Sequence, residues 1–269
     1  MALNAGTIWE VRTTGNANNG GGFFNRIPGT SVDYSQQNAS QLSPADLACV
    51  LATSTLTSVI GGFTQAMVGN IIQIRAGVNF TVGFYEIIQF NTVNSVALDR
   101  TPVAGGNGSA GAGEVGGALI SIENTVGVLV AGNIAYIKSG NYGFAANRTI
   151  VNTNIRYFGY DISRTIRPTG NNRPLINLGA FRILFAIKTQ FENIRFQGSA
   201  RQLLLAGGDK LYCFNCRFEN TANVGTVACI YYDAGGGPYP SNSSIIDCEF
   251  LGTAGAISSG FESVPGPGS

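Results

Sequence analysis

A chain with no histidine cannot assemble a Ser-His-Asp or Cys-His nucleophile, nor the mixed His/Cys or His/carboxylate sites that usually hold zinc. Carboxylates and thiols are what remain for chemistry. Glu219, Asp247 and Glu249 lie in short alternating segments where each is expected to point outward, on neighbouring coils of a stacked structure. Two carboxyl groups roughly 5 to 9.5 Å apart could work as a pair on a glycosidic bond. The plainer reading is the one expected: Arg217 and Glu249 hold equivalent positions in successive repeats, so these charges form a solvated ladder worth little per pair. Cys213 and Cys216 spell C-x-x-C, but residues three apart on a strand face opposite ways, so neither chelation nor a disulfide is expected of them. The five cysteines, Cys49, Cys213, Cys216, Cys229 and Cys248, are odd in number and scattered. They read as small core hydrophobes. No metal or cofactor is expected. The Gly-rich stretches 20–22 and 104–117 lack the Lys-Ser/Thr of a phosphate loop and the strand-to-helix setting of a dinucleotide site, and nothing matches a calcium loop.

The elements that would position these residues are announced by a phrase that recurs in the second half: Asn154-Ile155-Arg156-Tyr157-Phe158-Gly159, Asn193-Ile194-Arg195-Phe196-Gln197-Gly198, Asn215-Cys216-Arg217-Phe218-Glu219-Asn220 and Asp247-Cys248-Glu249-Phe250-Leu251-Gly252. Strand alternation sends Ile155, Ile194, Cys216 and Cys248 to the same face as Tyr157, Phe196, Phe218 and Phe250. The second and third copies lie 22 residues apart, within the range of stacked repeats, and the other intervals are lengthened by turn-rich excursions at 164–173 and 233–242. A right-handed parallel solenoid is therefore expected, with the four phrases on successive or near-successive coils and their aromatics in one core. The outward column Asn154, Asn193, Asn215 and Asp247 could form a sugar-binding strip, but stacked amides more often bond one another, and that is the preferred reading.

In the first half, Gly69-Asn70-Ile71 to Gly77 and Gly132-Asn133-Ile134 to Gly140 share the frame Gly-Asn-Ile-x-x-Ile-basic-x-Gly, a short apolar strand closed at both ends by glycine. Residues 84–100 alternate like a hairpin with its turn at 91–94. Residues 101–117, rich in Gly, Ala, Ser and Asn, read as a loop or linker. Beyond them Leu119, Ile122, Val126 and Leu129 fall at helical spacing, and a helix there could cover the open end of a solenoid. The 269 residues, 12% charged with a net charge of +1, suit a turn-rich β protein and offer no electrostatic reason for a nucleic-acid or membrane partner. The opening residues lack a secretory signal and no apolar run approaches a membrane span, so an unexported soluble product is expected.

The stretch from Ala131 to Tyr142 resembles the lead-in strand of pectate-lyase-like, right-handed parallel β-helix proteins, and Trp9-Glu10-Val11-Arg12 through Gly20 resembles the segment that opens that fold. In that family the opening strand is soon followed by a capping helix. The resemblance therefore implies an all-β chain in three parts: 1–22 as the opening strand, 23–115 as an inserted small β-rich lobe with its linker, and 116–269 as a short solenoid with an N-terminal capping helix. Ala17 stands where the family pattern has Asp, so a ligand role does not carry over to that loop. More narrowly, the segments at 9–15, 20–24, 33–38 and 68–70 resemble β-helix proteins of tailed bacteriophages.

Two functions follow as expectations. One is a structural, non-enzymatic virion protein, a capsid decoration or cement protein made in the host cytoplasm and residing on the virion as a homotrimer or another symmetric oligomer, with the major capsid protein or other virion proteins as partners. The other is a tailspike or fibre component that binds or cleaves host surface glycan as a polysaccharide depolymerase, using Glu219, Asp247 or Glu249. Room for only about six or seven coils, roughly 30 to 35 Å of stack, and a chain that stops without a trimer-forming tail favour decoration.

Overall fold

Alternating sequence builds strands almost everywhere, and the protein is all-β: the regular elements of the described residues are strands apart from one short α-helix at Ile122–Val126 and three 3-10 turns. The computed structural model describes residues 3–150, 154–185, 188–199, 202–206, 211–221, 226–233, 243–252 and 257–264. The chain divides into two compact units, Met1–Ile120 and Ser121–Ser269.

The first unit holds a closed barrel of six strands in the order Leu47–Cys49, Thr55–Thr57, Ser95–Leu98, Gly83–Thr92, Ile71–Val78 and Gly108–Val115. Every neighbouring pair is antiparallel, and the last strand returns to the first. Inside are Leu47, Leu56, Phe63, Met67, Ile72, Ile74, Ile87, Val96 and Leu98, all under 3% exposed. Closure leaves no free edge. The expected hairpin is present, with Thr92 opposite Ser95 at its tip.

The linker expected at 101–117 is instead partly a strand, Gly108–Val115, paired on both sides. Composition misled because these glycines make room. A Cβ at Gly108 would lie 2.5 Å from Val103 Cγ1 and 2.8 Å from the Phe80 ring, and one at Gly111 would lie 2.6 Å from that ring and 2.8 Å from Leu47 Cβ. Outside the barrel, Ile8–Val11 pairs antiparallel with Gly22–Phe23, and Val11 bridges Leu119. Trp9 is fully buried, edge-on to Phe84 at 5.6 Å.

The second unit is built from parallel pairs. Its strands fall into three sheets visited in rotation. The first sheet holds Ile134–Lys138, Ile155–Tyr160, Thr189–Glu192, Leu211–Phe214 and Ser244–Ile246; the second holds Asn141–Gly143, Leu175–Gly179, Arg195–Gly198, Arg217–Asn220 and Glu249–Gly252; the third holds Arg148–Ile150, Ile183–Phe185, Gln202–Ala206, Thr226–Asp233 and Ile257–Val264. Five circuits result among the described residues, fewer than the six or seven expected, because the excursion between Tyr160 and Leu175 and the long third-sheet strands consume chain.

Three of the four phrases stack as expected, at Arg195, Arg217 and Glu249 in the second sheet. The first does not. Ile155–Tyr160 belongs to the first sheet, between Ile134–Lys138 and Thr189–Glu192. The phrase encodes a corner followed by a strand, and a circuit has more than one corner, so the local pattern does not say which corner it marks. The core is nonetheless continuous. Tyr157 stacks on Phe191 at 5.3 Å, Phe191 meets Phe196 edge-on at 5.2 Å, and Phe196, Phe218 and Phe250 stack at 5.2 and 5.1 Å. Tyr157, Phe196 and Phe218 are fully buried, whereas Phe250, on the last circuit, is 36% exposed.

The expected helix is shorter than the spacing suggested. Ser121 caps it, accepting from the Asn124 N–H, and it stops at Gly127, where glycine and the flanking valines disfavour continuation. Glu123 accepts a hydrogen bond from Arg148 Nε at 2.8 Å, holding the helix on the first circuit. The two Gly-Asn-Ile frames form strands of different kinds, one in the antiparallel barrel and one in a parallel sheet. In both the asparagine is fully buried and clamps nearby chain: Asn70 Oδ1 accepts from Tyr34 N at 2.9 Å, and Asn133 Oδ1 from Val130 N at 3.0 Å.

Candidate functional site

The residues with chemical potential gather along one corner of the second unit, where the chain leaves the first sheet for the second. Asn193, Asn215 and Asp247 occupy that corner in successive circuits with φ of 57°, 50° and 53°, and Asn154 adopts φ 59° at a different corner. This left-handed conformation is one that asparagine and aspartate tolerate better than other non-glycine residues. The column therefore sits at bends rather than on an outward strand face, which corrects the expectation. Asn193 and Asn215 are 3% and 7% exposed, and Asn215 Nδ2 donates to Asn193 Oδ1 at 2.8 Å. The amides stack, as preferred over a sugar strip; Asn154 and Asp247 are exposed.

Each of the three candidate carboxylates has an arginine beside it. Arg195 grips both oxygens of Glu219, Nε to Oε1 at 2.8 Å and Nη2 to Oε2 at 2.7 Å, and Gln197 Nε2 adds a bond at 3.0 Å. Arg217 Nε lies 2.5 Å from Glu219 Oε1, an ion contact without hydrogen-bond alignment. Burial pushes the Glu219 carboxyl up, but the bond and charge of Arg195 and the charge of Arg217 outweigh it and hold the group below its ordinary value. Glu219 thus stays ionised and fully engaged, which disqualifies it as a proton donor. Glu249 pairs with Arg173 Nη1 at 2.8 Å and more loosely with Arg217 at 3.9 Å. Asp247 is 64% exposed, with Arg167 at 3.6 Å. The charge ladder expected from the repeat is present, tighter and drier at Glu219 than the solvated pairs foreseen.

Residues 164–173, expected as a simple excursion, carry arginines that engage the circuits. The segment lies across the circuits like a strap: Arg164 sits over the Tyr136 ring at 4.6 Å, Arg167 over Phe214 at 5.8 Å, and Pro168 O accepts from Asn215 Nδ2 at 3.3 Å. Arg173, 5% exposed, donates from Nη2 to Asn215 Oδ1 at 2.5 Å. Three arginines among turn residues, in a chain with Asp247 at the last corner and Glu249 at the start of the strand after it, were the available signal. The second excursion, from 234 to 242, lies outside the described residues.

The thiols need a correction. Cys213 and Cys216 do not face opposite ways, because the left-handed Asn215 between them turns the chain and brings both inside, each fully buried. Cys216 Sγ lies 3.4 Å from the main-chain oxygens of Phe191 and Phe214, and Cys248 Sγ lies 3.6 Å from Cys213 O. All five cysteines are free thiols, four of them buried, as expected of core residues. Burial pushes Cys216 well up, and burial likewise lifts Cys229 to about 11, so neither is a reactive thiolate at neutral pH. Among the described residues no group of three or more His, Cys, Asp or Glu is arranged to hold a metal ion.

In the first unit the opening loop borders a polar concavity of about 310 Å³ lined by Thr14, Asn16, Asn18, Asn38, Ser40 and Glu114, among others. Its polar groups mostly serve the fold. Glu114 accepts from Ser40 at 2.6 Å, from Ser43, and from Arg75 at 3.0 Å. With its amide nitrogen toward the loop, Gln73 donates to the main-chain oxygens of Asn18, Asn19 and Ala17 at 2.7, 3.0 and 3.1 Å. An amide thus braces the loop at Ala17, Asn18 and Asn19.

A scan against protein-family models, a search of curated proteins and a search of solved structures each found no match to this chain.

Proposed function

We propose that this protein is a non-enzymatic structural component of a tailed-bacteriophage virion, most simply a capsid decoration or cement protein, whose second unit is a short right-handed parallel β-helix of the pectate-lyase-like kind. One observation carries the choice of structure over catalysis. Both oxygens of Glu219 are occupied by Arg195, and Glu249 is tied to Arg173, so the carboxylates brace circuits instead of standing ready for a substrate. The parallel circuits and the phage-like segments at 9–15, 20–24, 33–38 and 68–70 support the class. In this reading the partners are the major capsid protein or other virion proteins, the location is the virion surface, and the assembly is a homotrimer or another symmetric oligomer held by many weak contacts acting together. In this reading neither nucleic acid nor a membrane is a partner. No described helix is long and apolar enough to cross a membrane.

The test is binding to particles. Purified protein mixed with phage particles lacking it should co-sediment to a saturating, symmetric copy number and raise the temperature at which the shells open. Particles that gain no protein refute the proposal. The exposure of Asp247 and Glu249 at one corner favours a second reading, a tailspike-type depolymerase. Release of oligosaccharide from host capsule, lost in Asp247→Asn or Glu249→Gln, would establish it instead.

A further inference from the structure

Cys216 and Cys248 stand at equivalent places on neighbouring circuits. Each follows a left-handed corner residue, Asn215 at φ 50° and Asp247 at φ 53°, and each precedes a strand of the second sheet, where Arg217 lies opposite Glu249. Main-chain bonds tie the two corners together: Asn215 N donates to Ile246 O at 3.0 Å, and Glu249 N to Cys216 O at 2.9 Å. Parallel neighbours bonded in this way lie about 4.8 Å apart, inside the span of roughly 4.4 to 6.8 Å between Cα atoms that a disulfide bridges.

The sulfurs are placed to meet. Cys248 Sγ leans toward the circuit of Cys216, 3.6 Å from Cys213 O, whereas Cys216 Sγ lies 3.4 Å from Phe191 O on the circuit before its own. Rotation of Cys216 about its Cα–Cβ bond is the main movement that would join them. The Cys216 thiol is also the leading cause, ahead of burial, that holds the Cys248 thiol above its ordinary value. Cys213, the third thiol at this corner, stands opposite Ile245 in register.

We propose that Cys216 and Cys248 are a redox pair that closes to a disulfide in an oxidising medium and locks the last described circuit to the one before it. Glutathione disulfide is a sufficient oxidant. The half-buried Cys248 attacks it first, giving a mixed disulfide and one glutathione thiol, and Cys216 then displaces the second glutathione, which leaves with the Cys216 proton. Two S–H bonds and one S–S bond break, one S–S bond forms in the protein, and two glutathione thiols result. The lock falls where the core is least covered, since Phe250 is 36% exposed and Ile246 44%. A reducing cytoplasm would keep the pair open and an extracellular medium would close it. The pair stands whether or not the protein belongs to a virion.

The test uses the purified, folded full chain held under glutathione disulfide at about pH 8.5, where more of each thiol ionises. Alkylation in denaturant, digestion and mass spectrometry should then show Cys216 linked to Cys248 within one chain, with Cys49, Cys213 and Cys229 alkylated. The melting temperature should rise by about 3 °C or more, and dithiothreitol should reverse both changes. Cys248→Ser should give neither the link nor the shift. Five alkylated cysteines after prolonged exposure overturn the proposal. So does a link that contains Cys213, or one that forms only in urea-unfolded chains.

Discussion

Two glutamates show how surroundings decide what a carboxylate does. Glu219 has its pKa held below the ordinary 4.5 by Arg195 and Arg217 against the opposing effect of burial. A depressed acid contributes stability above the unfolded value and loses it as pH falls through the folded one. Glu219→Gln should therefore destabilise the fold by about 1–3 kcal/mol at pH 7, since it leaves Arg195 and Arg217 short of a partner. The difference from the parent should shrink as pH falls below 4.5 in urea titrations. Glu86, 1% exposed, is the opposite case: burial raises its pKa despite Arg26 at 2.8 Å. Its charged form is the costly one, so its contribution is lost as pH rises above 4.5. Glu86→Gln should be neutral or mildly stabilising at pH 7 by the same titration. Asp247→Asn, at an exposed corner that asparagine also accepts, should change stability by less than about 0.5 kcal/mol.

Elements here are held by their corners and by the room between strands. Asn215→Ala places a poor residue at φ 50° and removes the partners of Arg173 and Asn193. Its expected cost is about 2–4 kcal/mol, and Asn215→Gly should recover only about 1 kcal/mol of it, the backbone share. Thermal unfolding of the two variants side by side checks the division. In the barrel, Gly111→Ala must push the Phe80 ring or the Leu47 side chain and should cost about 1–3 kcal/mol, as overpacking does. If that variant keeps parental stability, the strand Gly108–Val115 is not packed as described.

For the whole molecule the near-zero net charge is the governing number. A net charge of +1, with Arg173 and Arg195 paired along the ladder, gives no electrostatic reason to expect polyanion binding. It should pass through a DNA or heparin column at 150 mM salt, and its attachment to particles should change less than about threefold between 50 and 500 mM salt. Steep loss of attachment with salt would instead mark a charged interface between the protein and the particle.

The repeated phrase already contained the stacked parallel strands, the inward aromatics, the amide stack and the charge ladder, because each depends on alternation and on one circuit lying over the next. The hairpin at 83–98 and the buried Gly-Asn-Ile strands were legible for the same reason. Tertiary structure decided what local pattern cannot encode. The first phrase lies in another sheet because a corner signal does not name its corner. Gly108–Val115 is a strand because Phe80, far away in sequence, fills the space its glycines leave. Cys213 and Cys216 face the same way because a left-handed residue bends the chain between them. Glu219 is a clamped anion because Arg195, one circuit away, and Arg217 both meet it. Each outcome turns on residues distant in sequence meeting in space, so side-chain spacing alone could propose the parts but not their partners.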